Sequence, residues 1–256
     1  MIRARKGAIV AFSGGVDSAL VLKLALDELG ERAVALTAVS PSLAPREKEA
    51  AERLARELGA RHLLVETGEI GDPAYVRNGP DRCYHCKTEL YAVCRRAADE
   101  LGLEAILDGF NADDLGDHRP GRRAGIERGV VSPLLEGGLT KAEIRAWSRE
   151  LGLPTWEKPQ LACLASRIPH GTPVTVERLG QVARAEEALQ DLGFRVFRVR
   201  HHGEAARLEL GEEELPRLLG DPELRTRVNE RVKAAGFRFV ALDLEPFRSG
   251  RMNGTA

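Results

Sequence analysis

No apolar run in this sequence approaches the roughly 18 residues of a membrane-spanning helix, so no membrane partner is expected. Aromatic residues are sparse, at 5 %. Charge of either sign is not in excess: 38 Lys and Arg stand against 39 Asp and Glu, for a net charge of -1. That balance denies the chain a general pull toward nucleic acid. The start, MIRARKGAIVAF, is basic and then apolar and so imitates a signal peptide. The break at Ser13-Gly14-Gly15 and the charge of Asp17 follow at once, with no small-residue cleavage site, so a cytoplasmic location is expected. Cysteine is also scarce, and four cysteines in a cytoplasmic enzyme point to metal or catalytic use rather than disulfides.

What is present is enough for a core. The chain has 256 residues, 43 % of them hydrophobic, which can bury one large core or a large and a small one. A short apolar run at 7–12 reads as a buried strand, and 33–39, 61–66 and 105–108 read as further strands. They alternate with helical patterns at 19–29, at 46–58 (ended by Gly59) and from Cys86 to about Leu101. Strand–helix alternation predicts an α/β fold with a doubly wound, Rossmann-like parallel sheet. Thr140 and Glu143 fit a capping box for a further helix, with Leu139 and Ile144 placed as a hydrophobic staple. Pro154, Pro159, Pro169 and Pro173 leave little room for regular structure over 152–174, which reads as linker and active-site loop. Beyond it, helix (176–192), strands (194–200, 206–210), helices (212–219, 222–235) and a last strand (238–242) predict a small α+β domain. The expected division is 1–170 for the nucleotide domain and 171–256 for a substrate or oligomerisation domain.

Ser13-Gly14-Gly15-Val16-Asp17-Ser18 joins the first strand to the first helix. Two glycines allow a sharp turn and close approach to an anion. The helix start presents free N–H groups and a partial positive charge, and Ser13 and Ser18 add hydroxyl donors. Asp17 sits oddly beside a polyphosphate unless Mg²⁺ joins them. The lysine of a Walker A loop and the GxGxxG of a dinucleotide fold are both missing. The run SGGVDS resembles the signature of the PP-loop ATP pyrophosphatases, which bind ATP, adenylate an acceptor and release pyrophosphate. The motif leaves the acceptor open. Thr37 to Ser40 ends the second strand at the ligand edge, where adenine is expected. Asn111, Asp113 and Asp114 follow the fourth strand and are placed to hold ATP or Mg²⁺, or else to form an Asn/Asp turn.

Cys83-Tyr84-His85-Cys86 is a CxxC that alone fits zinc, iron–sulfur or redox use. No second CxxC exists for a Cys₄ zinc site. Cys163 lies in the proline-rich stretch, and Cys83, Cys86 and Cys163 can ligate three irons of a 4Fe–4S cube, leaving the fourth open. Cys94 falls on the apolar face of its helix and reads as core. Arg167 is the cation nearest Cys163 in sequence, suited to lower a thiol's pKa or to grip a substrate phosphate. Arg198 and Arg200 alternate with Phe197 and Val199, so they share one side of a strand. With His202 and Arg207 they form either an anion site or a solvated face.

The runs Asn111-Ala112-Asp113-Asp114, Asp117-His118-Arg119-Pro120-Gly121, Ser132-Pro133-Leu134, Leu139-Thr140-Lys141 and Ala162-Cys163-Leu164-Ala165-Ser166-Arg167-Ile168-Pro169 resemble the LarE-type sulfur transferases. The similarity runs from Ile9 to about Leu210. It implies adenylation of a carboxylate of pyridinium-3,5-biscarboxylic acid mononucleotide and its conversion to a thiocarboxylate, a step toward a nickel-pincer nucleotide cofactor. In one type of the family a cysteine matching Cys163 is sacrificed to dehydroalanine. In the other a cluster on three cysteines passes on a sulfide, and Cys83 and Cys86 place this chain with that type. The resemblance also implies a homo-oligomer, a hexamer in relatives, and a downstream nickel-insertion protein. Two rival readings are a tRNA-thiolating PP-loop enzyme, which lacks its broad basic surface here, and a non-catalytic ATP-binding module, which leaves the three cysteines idle.

Overall fold

A computed structural model describes residues 1–116, 120–159 and 162–247. Asp117, His118 and Arg119 of the family-like motif lie outside the described residues. The chain divides into two compact units, Met1–Leu161 and Ala162–Ala256. The division falls ahead of the boundary at 170 expected from the prolines. Among the described residues no helix is long and apolar enough to cross a membrane.

The first unit is built on four parallel strands: β1 (Ala8–Ala11), β2 (Ala33–Val39), β3 (Arg61–Glu66) and β4 (Ala105–Leu107), in the order β3-β2-β1-β4. The helices between and after them are α1 (Val16–Leu29), α2 (Pro45–Glu57), α3 (Pro73–Val76), α4 (Arg82–Glu100), α5 (Pro120–Glu127), α6 (Pro133–Glu136) and α7 (Lys141–Glu150). Alternate strand residues feed two separate cores. Ala8, Val10, Ala33, Ala35 and Leu107 pack with Leu20 of α1, Leu54 of α2 and Ile144 of α7. Ile9, Val34, Leu36 and Ile106 pack with Tyr91, Val93 and Cys94 of α4. Because both faces are covered there, β1, β2 and β4 read as largely apolar runs, whereas the edge strand β3 carries Arg61, His62 and Glu66 and stays partly exposed. Thr140 accepts from the Glu143 N–H, and the Glu143 carboxylate accepts from the Thr140 N–H at 2.8 Å, completing the expected capping box of α7.

Two local differences from the sequence reading matter. The helix expected after Cys86 begins at Arg82, which puts Cys83 on the first turn of α4 and Cys86 one turn later. The stretch 152–174 holds two 3-10 turns, Pro154–Glu157 and Leu164–Arg167.

The second unit carries α8 (Val176–Asp191), β5 (Phe197–His202), β6 (Ala205–Leu210), α9 (Glu214–Gly220), α10 (Pro222–Ala234) and β7 (Phe239–Leu242). Its sheet, β5-β6-β7, is mixed: β5 and β6 are antiparallel, β6 and β7 parallel. This is the small α+β domain that the pattern predicts.

Candidate active site

The phosphate loop forms where β1 ends. Gly14 has φ +67°, and a Cβ there would lie 3.1 Å from the Cα and Cβ of Ala51 on α2, so glycine is required both for conformation and for space. Gly15 is the N-cap of α1 and no side chain caps that helix start, which leaves its N–H groups for a ligand. The serines knit the loop. Ser18 Oγ accepts from the Ser13 N–H at 3.2 Å and donates to the Gly15 carbonyl at 3.2 Å. With its own proton so used, Ser18 Oγ accepts from Ser13 Oγ at 3.1 Å.

A second segment closes on α1 from the end of β4. Gly109 makes this possible: a Cβ there would fall 2.9 Å from Asp17 Cβ and 3.0 Å from the Ser18 nitrogen. Asn111 Nδ2 donates to Asp17 Oδ1 at 3.4 Å, and its own Oδ1 accepts from the Asp113 N–H at 3.1 Å. Asp113 in turn accepts from the Lys141 N–H at 2.9 Å. The Lys141 ammonium pairs with Asp17 Oδ2. The fold therefore brings Asp17, Asn111 and Asp113 together beside Ser13, Gly14, Gly15 and Ser18. Beneath them Asp108, 2 % exposed, accepts from Tyr91 at 2.7 Å and from Ser132 at 2.6 Å. Burial, followed by the charge of Asp108, pushes the Tyr91 hydroxyl far up, so it stays a proton donor.

Thr37 is buried and its hydroxyl is engaged by the fold. It donates to the Phe12 carbonyl at 2.7 Å and meets His62 Nε2 at 2.8 Å.

Sequence reasoning passed over three members of this site: Gly109, Lys141 and Lys158. Lys158 Nζ donates to the Gly14 carbonyl at 3.0 Å and pairs with Glu47 at 2.7 Å. Lys141 carried a signal, because a lysine at the first position of a helix opposes the macrodipole and needs a nearby anion. Lys158 carried none.

The cysteines are all free thiols. Cys83 is exposed and Cys86 half-buried, one turn apart on α4. Cys94 is buried, which pushes its thiol up to about 12 and leaves it inert core. Cys163 is exposed at the cap of the turn Leu164–Arg167. Among the described residues no three His, Cys, Asp or Glu side chains gather closely enough to hold a metal ion.

The turn that presents Cys163 is gripped within its own unit. Arg167, 2 % exposed, makes a two-pronged pair with Glu186 at 2.8 and 3.1 Å and donates Nη1 to the carbonyls of Ala162 and Cys163 at 2.8 and 3.2 Å. Arg200 donates to Glu209 at 2.9 and 2.7 Å and to the Ser166 carbonyl at 2.9 Å. Arg198 lies between them; burial, then the charges of Arg167 and Arg200, pull its pKa down to about 10. Arg167, Arg198 and Arg200 thus come together, and the face they share is buried rather than solvated. With Arg207 they pair with Glu186, Glu209 and Asp243 in one network of charges.

The family model of NAD synthase matches residues 2–78, which span the phosphate loop. An uncharacterized protein of Synechocystis is 47 % identical over 246 residues, covering 96 % of this chain and 91 % of that protein. The pyridinium-3,5-bisthiocarboxylic acid mononucleotide synthase of Lactiplantibacillus plantarum is 42 % identical over 247 residues, covering 96 % of this chain and 88 % of that protein. The tRNA-specific 2-thiouridylase MnmA of Thermus thermophilus is 28 % identical over 195 residues, 60 % of this chain and 53 % of its own length.

Proposed function

This chain belongs to the LarE family of PP-loop ATP pyrophosphatases, to which the synthase of Lactiplantibacillus plantarum belongs, and on that premise we propose that it is an ATP-dependent sulfur transferase. Its substrate is a small nucleotide, pyridinium-3,5-biscarboxylic acid mononucleotide, and its product the corresponding thiocarboxylate, in synthesis of a nickel-pincer cofactor.

A carboxylate is a poor electrophile at neutral pH. ATP held by Ser13–Ser18 offers its α-phosphorus to the substrate carboxylate; pyrophosphate leaves and the carboxyl oxygen becomes part of AMP. Ser13, Ser18 and the free N–H groups of α1 hold phosphate oxygens. Asp17, with Asn111 and Asp113, is the donor set for Mg²⁺, an all-oxygen arrangement of the kind that ion prefers. Thr37 anchors the strand end beside adenine. A thiolate then attacks the activated carbon and AMP departs.

The observation that carries this reading is the exposed Cys163 on a turn locked by Arg167 and Arg200, in a chain that also carries a complete phosphate loop. Arg198 and Arg200 supply the positive charge for the substrate's phosphate and carboxylates, and Arg167 holds the turn. For the source of sulfur we favour a 4Fe–4S cluster on Cys83, Cys86 and Cys163. The donor set fits in kind: three thiols outside any disulfide, two of them one helical turn apart. Such a cluster supplies a sulfide without consuming the chain. The alternative is sacrifice of Cys163, in which its sulfur attacks the acyl adenylate and elimination leaves dehydroalanine. We further propose a cytoplasmic homo-oligomer that hands its product to a nickel-insertion protein.

The test is Cys163→Ala. Sulfur transfer should vanish while ATP-driven AMP formation persists; retained transfer would refute the role of Cys163. A mass spectrum after one turnover separates the two sources: loss of the elements of H₂S at Cys163 means sacrifice, and an unchanged mass means delivered sulfide. Anaerobic reconstitution with iron and sulfide should give a brown protein with about four irons per chain.

A further inference from the structure

The chain leaves its first unit along a segment fastened to the phosphate loop. Arg145 of α7 donates to the carbonyl of Trp156 and, at 2.9 Å, to that of Lys158. The Lys158 side chain then turns back onto the Gly14 carbonyl and the Glu47 carboxylate, at 3.0 and 2.7 Å. Side-chain exposure is 19 % for Lys158 and 22 % for Glu47, so this is no solvated surface pair of negligible weight. One ammonium thus ties the phosphate loop, the first turn of α2 and the exit segment together.

The peptide it holds is a special one. The Gly14 carbonyl and the Gly15 N–H lie in a single rigid plane. The Gly15 N–H makes only a long contact to Ser13 Oγ, 3.4 Å, and is available to a phosphate oxygen. Fixing the carbonyl end of that plane fixes where the N–H end points. Conversely, a phosphate that draws the N–H rotates the carbonyl against Lys158. Pro159 follows directly, and Cys163 comes soon after in the same stretch of chain.

We propose that Lys158 is a positioning residue that aims the Gly15 N–H at the nucleotide phosphates. The proposal rests on the adenylation reading given above. It adds to that reading the side chain that sets the phosphate loop for MgATP.

The experiment compares wild type, Lys158→Met, Lys158→Arg and Glu47→Gln with pyridinium-3,5-biscarboxylic acid mononucleotide as acceptor. KM and kcat for MgATP in pyrophosphate release are read. Lys158→Met should raise KM about ten-fold, as for loss of one charge-assisted hydrogen bond. Lys158→Arg, which still reaches the carbonyl with an N–H, should recover part of that loss. A folded Lys158→Met protein with wild-type KM overturns the proposal, whether or not kcat falls. Should Lys158→Met not fold, Glu47→Gln loosens the same ammonium and should likewise raise KM; no shift overturns it. A wild-type protein that releases no pyrophosphate with this acceptor instead defeats the functional reading itself.

Discussion

Asp17 and Lys141 form an ion pair between the first turns of α1 and α7, each side chain 25 % exposed. Each charge offsets a problem posed by the other. A lysine at a helix start opposes the macrodipole, and an aspartate on a phosphate loop repels the polyphosphate. On the proposed function, bound MgATP would separate the pair, Asp17 turning to the cation and Lys141 to a phosphate oxygen. Asp17→Asn should therefore lower pyrophosphate release by about 100-fold or more, as for loss of a preorganised charge at a reacting centre. Lys141→Met should act mainly on KM for MgATP. Because the residues touch, the double variant should cost less than the two single changes combined. Initial rates against MgATP check all three, and a wild-type rate for Asp17→Asn removes Asp17 from the site.

Gly109→Ala tests the close approach of the β4 end to α1. The added methyl would meet the Asp17 Cβ at 2.9 Å and the Ser18 nitrogen at 3.0 Å, and neither is the flexible end of a side chain. The segment carrying Asn111 and Asp113 must back away from the phosphate loop. Titration calorimetry with a non-hydrolysable ATP analogue should show ATP affinity falling by about ten-fold or more, the cost of one displaced polar contact. Unchanged affinity in a folded variant means that this segment does not contact the nucleotide.

Most of the fold was legible because the parallel sheet is covered on both faces. Ala8–Ala11 is apolar throughout and Ala33–Val39 is broken only by Thr37, so neither is mistaken for surface. The phosphate loop was legible for a different reason: all its members are contiguous. Lys141 meets Asp17 across 124 positions and Lys158 meets Gly14 across 144, so no local pattern could pair them. The helix expected after Cys86 already begins at Arg82, directly after Gly79-Pro80-Asp81. The short α3 had a readable signal in Asp72-Pro73, where the Asp72 side chain accepts from the Ala74 N–H at 2.8 Å. For Arg198 and Arg200 the alternation gave a common side. It could not tell that Glu186 and Glu209 would cover it, since those partners come from α8 and β6.

Glu209→Gln should strongly destabilise the second unit. Arg200 and Arg207 stand directly opposite each other on β5 and β6, a like-charge pair that disfavours the sheet. Glu209, 1 % exposed, accepts from Arg200 at 2.7 and 2.9 Å and from Arg207 at 2.9 Å. Removing its charge leaves the buried Arg200 guanidinium without its carboxylate, opposite the partly exposed Arg207. The expected loss is about 3–5 kcal/mol, typical of breaking a buried pair from one side. Urea unfolding measures it, and a change below about 1 kcal/mol would mean that water or a neighbouring carboxylate replaces Glu209.

The last prediction concerns pH and His62. Thr37 gives its only hydroxyl proton to the Phe12 carbonyl, so the contact with His62 at 2.8 Å requires the ring to donate from Nε2. Burial holds the His62 pKa below its ordinary 6.5. A lowered histidine means that, as pH drops through 6.5, the unfolded chain takes up a proton that the folded ring refuses. Stability is therefore full above 6.5, falls as pH drops below it, and levels off once pH lies under the folded value. His201 and His202, also lowered by burial, act in the same window. Carboxylates held down by hydrogen bonds, such as Glu143 in its capping box, act only below their ordinary 4.5. His62→Gln keeps an N–H for Thr37 but cannot titrate. Its Tm should fall less steeply than that of wild type between about pH 7 and pH 5, the histidine range, while the remaining histidines keep the slope from vanishing. Parallel Tm curves for the two proteins would show that His62 takes up its proton as readily in the fold as outside it.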